Sequence, residues 1–174
     1  MNICGGCWIK QDNMLYGFNV YDNSYNKVLK YDLQADSITD VSGEFSFGST
    51  NLLGYSKVYY YPFDAGNGIY YLFPAFANIT ANIIKVDMGN KTVSKYAQLD
   101  TLFPSQTISG NTYKDFYFRD AGFAQMGSTG YIIGGRGYSN ADVPIIFKLN
   151  ISNENITVTA LDQYLFSSTS YVNY

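Results

Sequence analysis

Three six-residue runs share one order of apolar and polar positions: Val28-Leu-Lys-Tyr-Asp-Leu33, Ile83-Ile-Lys-Val-Asp-Met88 and Ile146-Phe-Lys-Leu-Asn-Ile151. Alternate side chains of a strand share a face, so Leu29, Tyr31 and Leu33 point one way while Val28, Lys30 and Asp32 point the other. The other two copies divide in the same way, and the Leu29 side is the predicted buried face. Turn formers follow each run (Gln34-Ala-Asp36, Gly89-Asn-Lys91, Ser152-Asn-Glu154), and then a β-branched residue: Ile38, Val93 or Ile156. Each copy therefore predicts a β-hairpin, in a register common to all three. The recurring Lys30, Lys85 and Lys148 are expected to lie along one strand face beside Asp32, Asp87 and Asn150 as structural pairs.

A second pair of strand-like runs precedes each hairpin. Cys7–Lys10 turns into Met14–Tyr16, Lys57–Tyr61 into Ile69–Leu72, and Gly122–Gly127 into Tyr131–Ile133. The unit is thus four short antiparallel strands, repeated over residues 4–42, 56–99 and 122–161 of one domain spanning 1–174, with a strand-prone tail at 162–174. In Gly130-Tyr-Ile-Ile-Gly-Gly-Arg-Gly137 the paired glycines end a strand where neighbouring backbone comes close. A phosphate-binding loop would need a helix after Arg136, and turn residues follow instead.

The third unit, Gly130-Tyr-Ile-Ile-Gly-Gly135 followed by Ile146-Phe-Lys-Leu-Asn-Ile151, resembles the kelch-repeat branch of the β-propeller superfamily, and Tyr31-Asp32 resembles the same family's Tyr-Asp element. The likeness extends over about residues 4–161. It departs from the pattern at Phe73-Pro74 and Gly17-Phe18, where the double glycine is missing or reduced, and Trp8, the only tryptophan, falls in a first strand rather than a fourth. The resemblance implies an all-β, propeller-like fold of three four-stranded antiparallel blades. Propellers close with about four to eight blades, so three leave apolar sheet faces to be covered by another chain or a missing segment. A homo-oligomer, or membership of a larger assembly, is therefore expected.

Composition agrees with strands and removes several functions. Aromatics make up 18% of the chain and charged residues only 14%, which favours pleated, half-buried surfaces over exposed helices. The net charge of −3, with no basic run, excludes the footprint of a nucleic-acid or anionic-membrane binder. No apolar run approaches the ~18 residues of a membrane span, and Met1 is not followed by a signal-peptide pattern. The chain reads as soluble, in the cytoplasm or in a virion or surface assembly. Cys4 and Cys7 form a CxxC, but a strand follows them and the chain has no His, so a structural pair is expected rather than a redox or zinc centre.

Catalysis finds no constellation. With no His, acid-base work would fall to carboxylates, and Asp64, Asp115, Asp120 and Asp142 are not paired by spacing. No cofactor and no metal site are expected. Binding finds more support. The second-to-third and fourth-to-first connections leave one end of the units and carry Tyr21, Asp22, Asn23, Tyr25, Phe76, Asn78, Tyr113, Phe116, Arg136, Tyr138, Asn140 and Asp142, with Phe45 and Phe47 beside them. Rigid rings alternating with short polar groups are what contact loops use. The expected function is a non-enzymatic protein-binding or scaffolding module. The alternatives are a structural or glycan-attachment subunit of a phage, viral or surface assembly, and a fragment of a larger propeller enzyme. Four acceptor patterns for N-glycosylation, at Asn78, Asn90, Asn150 and Asn155, are matches of a kind that arises by chance in a chain rich in Asn, Ser and Thr.

Overall fold

The computed structural model describes residues 7–18, 26–49, 52–53, 60–74, 82–103, 105–108, 111–113, 116, 118, 121–135 and 145–161. The first sheet runs in chain order through β1 (Cys7–Gln11), β2 (Met14–Phe18), β3 (Val28–Asp32) and β4 (Ser37–Asp40). The second contains β5 (Ser46–Phe47), β6 (Tyr60–Gly66), β7 (Ile69–Pro74), β8 (Asn82–Asp87) and β9 (Thr92–Gln98), in the order β5-β9-β8-β7-β6. A single helical turn, α1 (Leu99–Leu102), and a small hairpin of β10 (Gln106–Ile108) and β11 (Asn111–Tyr113) lead to the third sheet. That sheet comprises β12 (Gly122–Met126), β13 (Thr129–Ile133), β14 (Ile146–Ile151) and β15 (Ile156–Leu161), again in chain order. The protein is all-β, built on three antiparallel four-stranded meanders.

Tight turns set the first hairpin of each sheet. Asp12, Asn67 and Gly127 take positive φ (54°, 53° and 59°) at the first position of two-residue turns, the twist that lets antiparallel strands stay paired. In the second hairpins the recurring Asp has a specific job. Asp32 accepts the N–H groups of Gln34 and Ala35, and Asp87 accepts that of Asn90, so each carboxylate nucleates the turn that follows it. Those N–H groups hold both carboxyls below their usual range, while Lys30 and Lys85 act only weakly on them.

The third hairpin breaks the expected common register. Lys30 faces Thr39 and Lys85 faces Ser94, but Lys148 faces Thr159. The cause is the replacement of Asp by Asn150, which reaches across the strands toward Thr157 instead of into the turn. Ser152 takes over the turn bonding, its Oγ accepting from the Asn155 N–H at 3.0 Å. The loop starts one residue later, and because the register changes by an even number every side chain keeps its face.

The sheets stack, and each junction follows one rule. The side of the second sheet that carries Leu72, Ile84, Val86 and Val93 packs on the side of the first that carries Cys7, Ile9, Phe18 and Val28. Likewise Phe147, Leu149, Ile151 and Ile132 of the third sheet pack on Phe63, Ile69, Tyr71, Phe73 and Ile83 of the second. Calling the Leu29-equivalent side of any sheet its front and the Lys side its back, front packs on the preceding back. The Phe63 ring interlocks with Gly130, whose missing side chain makes room for it: a Cβ there would lie 2.7 Å from Phe63 Cε1.

The burial expected for the front face holds in the second and third sheets and only at Leu29 in the first. Ile84, Val86 and Met88, and Phe147, Leu149 and Ile151, are buried, whereas Leu33 is 45% and Ile38 42% exposed and Tyr31 is half-buried. Among the described residues no sheet lies against the part of the first front that carries Leu33 and Ile38. The lysines also differ from expectation. Lys85 Nζ donates 2.7 Å to the Asn153 carbonyl in the third sheet's hairpin turn, so the lysine face looks at the next sheet rather than at its own Asp. A further addition is β5, which pairs parallel to β9, so the segment leaving the first sheet covers the outer edge of the second. Its hydrogen bonds, Ser46 N to Lys91 O at 2.8 Å and Gly48 N to Val93 O at 2.9 Å, tie the two sheets together.

Candidate functional site

The strand pairings bring the connecting loops to one end of the stack. Phe18 pairs with Val28, Leu72 with Ile84, and Ile133 with Ile146, so the second-to-third connections of all three sheets leave from the same end. The stems of these loops are firmly held. At the first, Asn26 (φ 56°) donates from Nδ2 to the Ser49 carbonyl at 2.7 Å and accepts the Leu53 N–H at 3.2 Å, tying the loop base to the following connection. The Val28 N–H donates to Ser42 Oγ at 2.9 Å, and Ser42 Oγ donates to Asp40, which pairs with Lys27 at 3.1 Å. The Ser42 hydroxyl and N–H, helped by Lys27, bring the Asp40 carboxyl down to about 2.

At the third stem Gly134 and Gly135 take φ of 72° and 98°, and Gly134 donates to the Ile145 carbonyl at 3.1 Å. A Cβ on Gly135 would sit 3.0 Å from the Phe118 Cα. The double glycine is required both by its left-handed backbone and by the chain that crosses it.

Of the residues expected to form the binding face, Tyr21, Asp22, Asn23, Tyr25, Phe76, Asn78, Arg136, Tyr138, Asn140 and Asp142 lie outside the described residues, as do Cys4, Asp115, Asp120 and the tail 162–174. Tyr113 is placed by its backbone, on β11. Phe116 is a correction: it is 3% exposed, edge-on to Phe147 at 4.9 Å and stacked with Phe118, and so belongs to the core. Phe45 is likewise buried, edge-on to Phe18 at 5.6 Å. The long connections carry their rings inward because the gap between stacked sheets is apolar and open at this end. Phe103 and Phe118, which sequence reasoning passed over, do the same for the second gap. Their signal was bulky apolar residues recurring in a segment otherwise rich in turn formers.

The opposite end carries the hairpin turns and a shallow groove of about 480 Å³ lined by Asp64, Ala65, Gly66, Gln125, Gly127 and Ser128. Gln125 spans the second and third sheets here, accepting the Asp64 N–H and donating to the Asp64 carbonyl. Asp64 is the one carboxylate lining the groove, and its Oδ1 accepts the Gly66 N–H at 2.7 Å. This is turn chemistry rather than an acid-base pair. Cys7, the described half of the CxxC, is 3% exposed, and burial pushes its thiol up to about 12, opposite to the shift of a redox or metal-binding thiolate. Among the described residues no helix is long and apolar enough to cross a membrane.

No family model matches the chain, and no curated protein matches it. Among solved structures it is similar to that of YjhT, with a TM-score of 0.59 at 13% identity. The match covers 95% of this chain and 52% of that one, so the three sheets span about half the length of the structure they resemble. At this identity the likeness concerns the fold alone.

Proposed function

We propose that the chain is a non-enzymatic binding or scaffolding module of kelch-like propeller type, engaging a protein through the loops at the second-to-third strand end. The observation that carries this reading is the convergence of three equivalent loop stems on one end of the stack, two of them braced by hydrogen bonds and close packing. A braced stem presents a variable loop at little entropic cost, which is how rigid scaffolds support recognition. The sequence between those stems is aromatic and polar, Tyr21 to Tyr25 in the first loop and Tyr138 to Asp142 in the third.

The test is affinity capture with the intact chain beside Tyr21→Ala and Tyr138→Ala, run with a glycan array on the same three proteins. A specific protein retained by the wild type and lost from both variants supports the reading. Glycan binding that the same substitutions abolish, with no protein retained, would replace it by the attachment reading. Ligand retention unchanged in both variants would move the function away from this end.

A further inference from the structure

We propose that the two end faces of the stack are complementary halves of one more junction, and that two copies of this chain pair head to tail through them: the front of the first sheet on the back of the third. Among the described residues both faces carry exposed apolar side chains, while Leu29, nearer the loop end of the first sheet's front, is buried. Of the five large apolar side chains exposed among the described residues, four lie there, Leu33 and Ile38 on the first sheet's front and Met126 and Ile133 on the third sheet's back. The two internal junctions show what each face is shaped to receive.

Each sheet places a tyrosine of its second strand directly opposite the lysine of its third: Tyr16 with Lys30, Tyr71 with Lys85, Tyr131 with Lys148. In the first two sheets this pair meets the hairpin turn of the following sheet. Lys91, from the second sheet's turn, lies over the Tyr16 ring at 4.6 Å. Lys85 reaches the turn carbonyl of Asn153, and the Glu154 carboxylate beside it is felt at the Tyr71 hydroxyl. Among the described residues the third pair, Tyr131 and Lys148, meets no following turn. Among the described residues the first sheet's turn, residues 33–36, meets no preceding sheet; it presents Asp36 in a left-handed conformation at its fourth position, as Lys91 stands in the second sheet's turn, and the Asp36 carboxylate accepts from the Tyr31 hydroxyl of its own sheet. A lysine without a turn and an acidic turn without a lysine are complementary in charge.

The rings are complementary in size. At the second-to-third junction Phe123 stacks on Tyr61, with centroids 3.6 Å apart. Trp8 occupies Phe123's position in the first sheet, opposite Gly17 as Phe123 is opposite Ile132. Tyr61's position in the third sheet, one strand over from Ile133, is Gly122. The front that carries the larger ring therefore meets the back that has lost its ring, as close packing of the joint requires. Committing both open faces of both copies closes the assembly with two identical joints, whereas a face pairing with itself would leave one end of each copy bare. The proposal is independent of what the loop end binds.

The experiment is sedimentation equilibrium of the purified chain, wild type and variants. The expected species is a closed particle of twice the 19.5 kDa chain mass. Gly122→Leu is the first variant, because a Cβ at Gly122 meets only ordinary contact within the chain, Ile133 Cβ at 3.8 Å, so folding should survive while the seat for Trp8 is filled. Its dimer dissociation constant should rise at least ~100-fold, with unchanged far-ultraviolet circular dichroism. Leu33→Asp on the front and Ile133→Asp on the back should each do the same alone, and mixing the two should recover a dimer through the one joint left intact in the mixed pair. Lys148→Glu and Asp36→Lys should each weaken pairing about 10-fold and restore it together. A wild-type monomer at millimolar concentration would overturn the proposal. So would a dimer that ignores Gly122→Leu and Ile133→Asp, which would mean a front pairing with itself, or a ladder of open multimers in place of a closed pair.

Discussion

Gly130→Ala tests how the second and third sheets interlock. The glycine lies within β13 with φ outside the left-handed region, so the backbone accepts alanine and the effect comes from space alone. The added methyl would lie 2.7 Å from Phe63 Cε1, 2.9 Å from Ile151 Cδ1 and 3.0 Å from Phe63 Cδ1. None of these can retreat easily. Phe63 is 2% exposed and edge-on to Phe73 at 5.1 Å, and Ile151 is 4% exposed. Overpacking of this kind costs about 1–3 kcal/mol, and the reduced freedom of the unfolded chain returns about 0.4–1 kcal/mol. The net expectation is a loss of about 1–2 kcal/mol, which for a chain of this size lowers Tm by roughly 2–8 °C.

The assay is urea denaturation at one fixed protein concentration, so that any association contributes equally to both proteins. The midpoint should fall with the slope unchanged. Phe63→Leu, which removes the opposing ring, costs about 1–2 kcal/mol alone by leaving a cavity. Combined, the two changes should cost less than their sum by at least ~0.5 kcal/mol, because the methyl then fills space the ring has vacated. A neutral or stabilising Gly130→Ala, or strict additivity with Phe63→Leu, would refute the interlocked packing of these sheets.

Three other outcomes can be checked directly. Gly135→Ala should cost at least ~2 kcal/mol, since it adds the strain of φ +98° to a clash with the Phe118 backbone, while Gly43→Ala, with nothing within 4 Å of its Cβ, should be nearly neutral in the same melt. Tyr96→Phe should cost about 1–2 kcal/mol, because the Ile156 N–H that donates to the Tyr96 hydroxyl at 2.8 Å loses its acceptor between two sheets. Stability should fall on acidification: Asp32, Asp40 and Asp87 have folded values below the ordinary 3.8, so their contribution is complete above that value and is lost as pH drops through the folded values, about 2 for Asp40. Chemical denaturation at pH 5, 4, 3 and 2 reads this, and Asp40→Asn should flatten the dependence.

Strand identity was legible in the chain because each run alternates apolar and polar residues with period two and is bounded by turn formers, both properties of a few adjacent residues. The double glycine at 134 and 135 was legible for the same reason, and the Phe118 Cα, 3.0 Å from where a Gly135 Cβ would lie, is the close approach inferred for it. The third hairpin's shifted register was foreshadowed by Asn150 and Ser152, yet choosing between turn capping and cross-strand bonding depends on which hydrogen bonds the folded turn makes. The candidate loop residues were chosen by composition, and composition cannot tell a ring offered to a partner from one that plugs an apolar gap. Phe116 and Phe45 went inward because burying a ring over the mouth of two stacked sheets removes more apolar surface from water than leaving it on a loop tip.

What the sequence by itself determined is the local unit: four short strands, their turns and the alternation of their faces. Only the tertiary structure decided which face is covered and by what, since Leu33 and Ile38 have the same pattern as Met88 and Val93, yet among the described residues no sheet lies in front of them. Periodicity records that a side chain points away from its neighbours in the strand. Burial needs a second surface, and that surface comes from residues distant in the chain or from another molecule.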